Sequence, residues 1–568
     1  MKPFFSRSRM PLLAVALGGG VTLSSVGLVA LIHAVTNLAF RGTLSTAEAQ
    51  PDFSHWGPAG VAVPVIGGLV IGLLARFGTP AIRGHGIPEV MQAVGAADSR
   101  IPLRVAILKP LASAISIGTG GPFGAEGPVI ASGGAIGSVL GQCLPSSPTE
   151  RKILLAAGAA AGVTAIFGTP LAGVLLAIEL LLFEFRGRSF LPVALAAGTA
   201  MALRPCFHEP LPMLPLELAH PPDWLTSSGS FVIGTGCGLL AVVVTKLVYA
   251  LEDGFEKLPV HWMWWPALGG IAVGLIGWLD PRTLGAGYGN LGALLAGNLA
   301  LTAIASLAAL KFLSWWIALG SGTTGGTLAP LMTIGGACGA LLGHALHGIP
   351  GFESFPLGLA ALIGMAATFA GASRAFLASI LFAFEASHAP HALGPLLLGC
   401  GAAVLVSRVL MRETLMTEKL ARHGVRIPSD YTPDFLHGLR VGALMQPDPP
   451  VVRSDETVAA LAARLATPGS PWHDVRLVPV TEANGALVAV ISRADLFAAL
   501  ESAPEATVLE AGVRHPVTAS PEEPLAAAID RMIAHGIGRL PVVEHGSARL
   551  LGLLTRQAVL EAHRRAGD

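Results

Sequence analysis

Charged residues are scarce in this sequence. Only 13% of its 568 residues are Asp, Glu, Lys or Arg, whereas 52% are hydrophobic; soluble proteins carry about 25% charged residues. This deficit excludes a single soluble enzyme, and the high hydrophobicity excludes a disordered chain. Net charge is absent too, because 36 Lys and Arg balance 36 Asp and Glu. The basic stripe of a nucleic-acid-binding protein is therefore missing.

Cysteine patterns that hold metals or disulfides are also absent. The five cysteines show no Cys-x-x-Cys or Cys/His ligand spacing, so we predict neither a zinc site nor a disulfide framework. The charges that remain are unevenly distributed: 34 of the 72 lie in residues 11–408 and 35 in residues 409–568. We therefore expect a membrane part followed by a water-soluble part.

Long uncharged runs fill the first part of the chain. The run from Pro11 to Phe40 is too long for a signal-peptide core and predicts a first membrane helix. Lys2, Arg7 and Arg9 precede this run, so we expect the N-terminus in the cytoplasm. Further uncharged runs cover residues 57–75, 153–178, 227–245, 258–279, 283–310 and 312–352. Several are broken by Gly and Pro, which membrane helices tolerate only where the backbone is buried in protein or lines a polar cavity.

An internal repeat runs through these segments. Residues 118–141 placed over 320–343 give ten identities in 24 positions, and residues 158–179 placed over 364–385 give eight in 22. The offsets of 202 and 206 imply a duplicated half of about 200 residues. Duplicated halves with interrupted segments at matching positions are typical of a transporter whose site lies between the halves.

From about Arg422 the sequence becomes water-soluble in character. Residues 440–500 and 506–566 form a second repeat, with matching positions 63 residues apart. Each unit has a helical pattern, then short Val- and Leu-rich strands, then another helical pattern, which predicts two small α+β modules. Residues 426–439 are the expected linker.

An acidic residue lies in the middle of a glycine-rich segment of the first half. Glu126 is followed by Pro128, a favoured residue of a first helical turn. A carboxylate at the bilayer centre costs at least about 2.5 kcal/mol unless it is paired, protonated or next to water. Because a helix N-terminus attracts anions, the Glu126 carboxylate can compete with an ion there until protonation releases it. The alternative is that Glu126 only caps its own helix.

Two further segments share this design. Gly84-His85-Gly86-Ile87-Pro88 and Gly325-Gly326-Thr327-Leu328-Ala329-Pro330 also place glycines before a proline, and in the latter Leu328 replaces the acid. Three such helix starts in an uncharged scaffold predict an anion pathway held by backbone dipoles. Without fixed cationic side chains at the site, a bound ion can leave again.

The three segments resemble the GSGIP, GREGP and GIFAP motifs of the CLC chloride channels and proton/chloride antiporters, in the family's order. The resemblance covers nearly all of residues 20–425. It implies an obliquely packed helical membrane domain, a homodimer with one pore per subunit, and Glu126 as the external gating glutamate. Lys109 matches a family lysine that makes the pore more positive. The anion-binding positions implied are His85, Gly86, Ile87, Gly124, Ala125, Gly127, Thr327, Leu328 and Met416, with the amides of Thr327 and Leu328 at the central anion.

The C-terminal modules resemble tandem cystathionine-β-synthase-type (CBS) modules, which often sense adenine nucleotides. The Ser/Thr-x-x-Asp pattern that holds ribose in that family occurs once, as Ser492 and Asp495. In the second module Thr555 is followed by Gln557 and Ala558, so the acid is missing. A nucleotide site at the first module and a purely structural pair are both left open.

Two positions depart from the CLC pattern at the anion site. The family's central serine is His85 here, and its imidazole either faces the pathway, where it would make conduction pH-dependent, or points away from it. The family tyrosine on the inner side of the site is replaced by Met416, which has no hydroxyl. The fluoride-exporting branch of the family also lacks the serine, so fluoride stays open as a substrate.

A third departure concerns proton coupling. The internal proton-relay glutamate of the antiporters falls on Leu180, which cannot accept a proton. Either Glu179 or Glu184 substitutes, or stoichiometric proton exchange is absent. Glu179 has a repeat twin in Glu385, which favours a structural role at both symmetric places.

We therefore predict an all-α polytopic membrane domain over residues 1–425, made of two inverted-topology repeats with broken helices at about 57–200 and 260–415. A small soluble α+β tandem CBS pair follows, in the cytoplasm. The predicted function is chloride transport across the cell (inner) membrane through a Glu126-gated pore, with a voltage- or pH-gated channel favoured. The alternatives are a proton-coupled chloride or fluoride antiporter and a CBS-based nucleotide sensor with a vestigial pore. We expect lipid and a small anion as partners, and no enzymatic activity, cofactor, metal or nucleic acid.

Overall fold

The computed structural model describes residues 2–96, 98–207, 211–218, 220–422, 424, 439–467, 472, 475–544 and 546–567. The chain divides into two compact units, residues 1–431 and 432–568. The expected linker, residues 426–439, lies outside the described residues except for its last residue.

The regular secondary structure of the first unit is helical over its described residues. Eight of its helices are long and apolar enough to cross a membrane, as the uncharged runs predict. Its helices are α1 (Lys2–Arg41), α2 (Ala62–Phe77), α3 (Ile87–Ala96), α4 (Leu103–Gly118), α5 (Glu126–Cys143), α6 (Pro148–Phe167), α7 (Pro170–Ala177), α8 (Gly187–Leu203), α9 (Trp224–Glu256), α10 (Trp265–Leu279), α11 (Tyr288–Leu295), α12 (Leu301–Gly320), α13 (Leu328–Leu346), α14 (Leu357–Ser373), α15 (Phe376–Ser387), α16 (Leu393–Leu410) and α17 (Glu418–Arg422). A π-helical turn, Ile178–Leu182, continues α7.

The sequence repeat reappears as two matching series of helices. Helices α2 to α8 have their counterparts, in the same order, in α10 to α16. The closest helix packing is repeated as well: a Cβ on Gly133 of α5 would collide with the backbone of Gly158 of α6, and one on Gly335 of α13 with that of Gly364 of α14. Small residues let membrane helices approach this closely, which explains the high glycine content.

The second unit contains two α+β modules. Its elements are β1 (Gln446–Pro447), β2 (Val452–Arg453), α18 (Val458–Ala466), β3 (Leu477–Thr481), β4 (Leu487–Ser492), α19 (Arg493–Ser502), α20 (Val508–Ala511), β5 (Val513–Arg514), α21 (Leu525–Ala534), β6 (Arg539–Val543), β7 (Leu550–Thr555) and α22 (Arg556–Gly567). The strands form one sheet in the order β2-β3-β4-β5 and another in the order β1-β7-β6. The hairpins β3–β4 and β6–β7 are both antiparallel, so each module has the predicted helix, hairpin and helix.

Candidate anion site

The three glycine-led turns lie side by side in the membrane unit. Gly124 and Gly326 exchange backbone hydrogen bonds, with N···O distances of 3.1 and 2.9 Å. Gly84 pairs with Thr324 in a parallel bridge, and a Cβ on Gly86 would meet the carbonyl group of Gly127. The first turns of α3, α5 and α13, whose N–H groups have no intrahelical partner, therefore gather at one place.

Glu126 lies in this junction and is only 1% exposed. Its carboxylate fills the space that a Cβ on Gly124 would need, and Oε2 is 2.7 Å from the position of a Cβ on Gly326. Oε1 accepts a hydrogen bond from the hydroxyl of Tyr288 at 3.2 Å, whereas Oε2 has no hydrogen-bond partner among the described residues. The ion pairs of those residues do not include Glu126. No side chain among the described residues caps the start of α5 by a hydrogen bond, so the carboxylate occupies the junction without capping its own helix there.

Several of the predicted anion-binding amides already have acceptors in the protein. Gly86 donates to Oε2 of Glu89 at 2.7 Å, Gly124 donates to Gly326, and Ala125 donates to the hydroxyl of Tyr288 at 3.1 Å. These three amides therefore hold the turns together. The predicted positions at helix starts that remain as candidate donors to an anion are Ile87, Gly127, Thr327 and Leu328.

His85 is buried, with 5% of its surface exposed. Its Nδ1 atom has no hydrogen-bond partner among the described residues, and Glu89, Lys109 and Lys419 lie within electrostatic reach of the ring. The imidazole is therefore enclosed by protein, with one ring nitrogen unbonded among the described residues. Both orientations considered for His85 stay open.

Lys109 is buried beside the first glycine-led turn. Its Nζ atom donates to the carbonyl of Gly84 at 3.1 Å and to that of Arg83 at 3.4 Å. It also lies 3.9 Å from Glu89, which in turn lies 3.7 Å from Lys419. Glu89 therefore offsets part of the positive charge of Lys109. The sequence analysis did not predict this ion pair.

Met416 is fully buried on the loop between α16 and α17. Its amide donates to Oγ1 of Thr414 at 3.2 Å. The carbonyl of the preceding residue, Leu415, accepts a hydrogen bond from the hydroxyl of Tyr249 at 2.8 Å. A tyrosine hydroxyl is therefore present one residue from Met416, although it comes from α9 and is already bonded.

Glu179 and Glu385 cap each other's repeat. The Glu179 carboxylate accepts from the amides of Leu377 and Ala378 at 3.0 and 2.9 Å. The Glu385 carboxylate accepts from Leu171 and Ala172 at 3.0 and 2.8 Å. This reciprocal geometry matches the structural interpretation of Glu179, because each carboxylate satisfies the first turn of the other half's helix.

Leu180 and Glu184 are the other two positions considered for a proton path. Leu180 is buried in the π-helical turn. Glu184 accepts from the hydroxyl of Ser189 at 2.5 Å and lies 3.5 Å from Arg186. Leu180 has no carboxylate, and the carboxylate of Glu184 is already bonded to Ser189.

Ser492 and Asp495 contact each other at the start of α19. The Ser492 hydroxyl donates to the Asp495 carboxylate at 2.6 Å and accepts from the Asp495 amide at 3.2 Å, which is a capping box. In the second module Thr555 accepts from the amide of Ala558 at 3.1 Å. Both modules therefore use this position to cap a helix, which favours the structural interpretation; a nucleotide site at Ser492 and Asp495 stays a prediction.

The sequence analysis missed two residues: Tyr288, which is hydrogen-bonded to Glu126, and Lys311. Lys311 is fully buried and within electrostatic reach of Glu126. Its position is 202 residues after Lys109, which is the offset of the repeat. Applying that offset to every charged residue of the first half would have found it.

Comparison with known proteins identifies the family. Residues 67–408 match the family model described as voltage gated chloride channel, and residues 441–502 and 510–565 match the CBS domain. The voltage-gated ClC-type chloride channel ClcB of Escherichia coli O81 (strain ED1a) is 30% identical over 390 residues, which is 67% of this chain and 90% of that protein.

Two solved structures share the fold. A slow cyanobacterial Cl−/H+ antiporter has a TM-score of 0.65 and 22% identity, covering 73% of this chain and 98% of its own. A eukaryotic CLC transporter has a TM-score of 0.62 and 20% identity, covering 98% of this chain and 99% of its own. With the family model matching more than half of the sequence, the chain belongs to the voltage-gated chloride channel (CLC) family, a multi-pass membrane protein with a tandem CBS pair at its C-terminal end.

Proposed function

We propose that this CLC protein conducts chloride passively and that protonation of Glu126 opens its pathway, with membrane voltage as a second stimulus. The observation that carries the proposal is the position of the Glu126 carboxylate. It is buried in the junction of two glycine-led turns, and one of its oxygens has no partner among the described residues. A carboxylate held there is an anion in an anion's place, so its protonation favours its exchange for chloride.

The helix starts around the junction supply the binding groups for the permeating ion. The amides of Thr327 and Leu328 at α13, of Gly127 at α5 and of Ile87 at α3 would replace water around chloride. His85 with its unbonded nitrogen and Met416 with its apolar side chain would complete the inner side. Lys109 would add positive potential near Gly84.

Passive conduction is favoured over proton exchange by the inner residues. Leu180 cannot carry a proton, and the carboxylate of Glu179 is committed to the helix start at Leu377 and Ala378. Glu184 is bonded to Ser189. A proton that reached Glu126 from outside would therefore have no dedicated acceptor on the inner side.

We also propose a membrane location, a topology and an oligomeric state for the protein. The three positive charges at the N-terminus, Lys2, Arg7 and Arg9, favour a cytoplasmic N-terminus in the cell (inner) membrane. The CBS pair would lie in the cytoplasm as well. A homodimer with one pathway per subunit is carried from the family resemblance.

Reconstituted vesicles with simultaneous chloride and proton recording test the proposal. Wild-type protein should dissipate a chloride gradient without moving protons uphill. Uphill proton movement driven by chloride would establish the antiporter instead, and preference for fluoride in the same vesicles would change the substrate. ATP binding to a protein that carries no anion would favour the nucleotide sensor.

The variant Glu126→Gln mimics the protonated gate. We expect it to raise chloride flux at pH 7.5 by about tenfold, since it removes the competing charge, and to flatten the dependence of flux on pH. Glu385→Gln is the matched control, because it changes a half-buried carboxyl group that caps a helix away from the junction. Flux of Glu126→Gln equal to wild type at every pH would remove Glu126 from the gate.

A further inference from the structure

A fourth glycine-led turn meets the same junction. Gly285-Ala286-Gly287-Tyr288 leads into α11 as Gly84-His85-Gly86-Ile87 leads into α3, 201 residues earlier. All four glycines have positive φ angles: 93° and 97° in the first turn, 60° and 73° in the second. Since this region favours glycine, the two turns are backbone equivalents.

Lys311 fixes this fourth turn as Lys109 fixes the first. Its Nζ atom donates to the carbonyls of Thr283 and Gly285 at 3.0 and 2.8 Å. A fully buried ammonium group needs such acceptors. The turn is also tied to the first repeat, because the Gly285 amide donates to the carbonyl of Gly120 at 3.2 Å.

The fourth turn differs from the first in the residue that it presents. Where α3 begins with Ile87, α11 begins with Tyr288, whose hydroxyl accepts from the amide of Ala125 and donates to Oε1 of Glu126. The ring is held edge-on against Phe167, with centroids 5.8 Å apart. One hydroxyl group thus bridges the backbone of the α5 start and the carboxylate next to it.

The charges around the two lysines differ as well. Lys109 has Glu89 at 3.9 Å, but the corresponding residue of the second repeat is Asn290, whose amide group donates to the carbonyl of Arg282 at 2.8 Å. The ion pairs of the described residues do not include Lys311, and the acid within its electrostatic reach is Glu126. Its positive charge therefore favours the ionised form of that carboxylate.

We infer that Tyr288, fixed by the Lys311-bound turn at residues 283–288, is the positioning residue that holds the ionised Glu126 carboxylate across the anion pathway. The inference rests on the proposed gating role of Glu126. The titratable groups around this carboxylate are Tyr288 from α11, which is hydrogen-bonded to it, and Lys311 from α12, which lies within electrostatic reach of it. The carbonyl of His85 contacts Gly127, the residue after Glu126. The hydroxyl and the ammonium group both stabilise the closed gate.

The test is the pH dependence of chloride flux in vesicles. Tyr288→Phe keeps the ring but removes the hydroxyl, so protonation of Glu126 should become easier. The pH of half-maximal flux should rise by about one unit, which is a tenfold change in the protonation equilibrium for one lost hydrogen bond to a charged group. Lys311→Met should move the midpoint in the same direction, and Lys311→Arg should restore it at least in part.

Tyr249→Phe is the matched control, since it removes another buried tyrosine hydroxyl, one that donates to Leu415. Its pH midpoint should equal that of wild type. A purely structural role of Tyr288 would lower yield and melting temperature and scale the flux at every pH without moving the midpoint, and that result would overturn the inference.

The double variant Glu126→Gln with Tyr288→Phe separates this inference from the proposed function. Its flux should equal that of Glu126→Gln alone, because no carboxylate is left to hold. If Glu126→Gln opens the pathway but Tyr288→Phe leaves the midpoint unchanged, Tyr288 is not the positioning residue. If Glu126→Gln itself has no effect, the gate and the inference both fail.

Discussion

Corresponding helix starts in the two repeats carry different side chains. Glu126 opens α5 where Leu328 opens α13, and Ile87 opens α3 where Tyr288 opens α11. The backbones at these places are nevertheless equivalent: all have glycine-led turns, and a buried lysine binds the turn before Ile87 and the turn before Tyr288. Duplication has kept the turns and has let the side chains of the first helical residues diverge.

The parts that stayed alike are those under packing constraint. The glycine contacts between α5 and α6 recur between α13 and α14, and Glu179 and Glu385 cap each other's repeat. A change in one half would leave unpaired amides or colliding backbones in the other, which costs stability directly. The residues that differ lie next to the junction. A second acid in place of Leu328 would put two carboxylates in competition with one ion there.

Filling the junction should have the largest effect. In Gly326→Ala the new methyl group would lie 2.5 Å from the carbonyl oxygen of Gly124 and 2.7 Å from Glu126 Oε2. Because backbone atoms cannot move aside cheaply, we expect chloride flux to fall by more than about tenfold and the free energy of unfolding by about 1–3 kcal/mol. Gly394→Ala on α16, where a Cβ has open space, should retain both. Normal flux in Gly326→Ala would show that the two turns do not form the pathway.

The second-largest effect should come from giving α13 the same acidic first residue as α5. Leu328→Glu places a second carboxylate opposite Glu126. We expect flux at pH 7.5 to fall by about tenfold and to recover on acidification, because two acids near one site resist joint ionisation. Leu328→Gln, of similar size but without charge, should lower flux far less, and an equal loss in both variants would indicate a steric effect.

The two reciprocal caps should respond equally. Glu179→Gln and Glu385→Gln each weaken two charge-assisted hydrogen bonds, so each should cost about 1.5–3 kcal/mol of unfolding free energy. Neither should change the ratio of chloride to proton movement. Altered proton movement in Glu179→Gln alone, with Glu385→Gln unaffected, would make Glu179 the inner proton acceptor and favour the antiporter.

The CBS pair should show the smallest effects. Ser492→Ala removes a helix cap and should cost about 1 kcal/mol of unfolding free energy. Because the capping box occupies both Ser492 and Asp495, we expect ATP at millimolar concentration to leave the melting temperature of the full-length wild-type protein unchanged within about 1 °C. A larger rise that disappears in Asp495→Asn would establish a nucleotide site.

Several site features were accessible without coordinates. The glycine-proline segments around Glu126 and Leu328 predicted helix starts, since proline suits a first turn and glycine a close approach. The repeat offset paired Glu179 with Glu385 and pointed to a structural role. These inferences work because they depend on local backbone chemistry and on duplication, both of which are written in residue order.

Other features depend on contacts between distant segments. That Gly86, Gly124 and Ala125 use their amides within the protein, that Glu89 accompanies Lys109, and that Tyr288 contacts Glu126 across 162 positions could not be deduced from spacing. Tyr288 corresponds to Ile87 in the first repeat. Because Ile87 is apolar, the repeat gives no sign that position 288 carries a functional hydroxyl group.

The amino-acid sequence by itself determined the membrane character, the duplicated helical half, the glycine-led helix starts and the two C-terminal modules, because composition, period and local propensity act over short distances. Only the tertiary structure decided which of those helix starts meet, which amides stay available to an anion, and which side chains surround Glu126. These depend on how helices 160 to 200 residues apart pack, and burial in a shared interior, rather than order along the chain, sets the charge and hydrogen bonding at the junction.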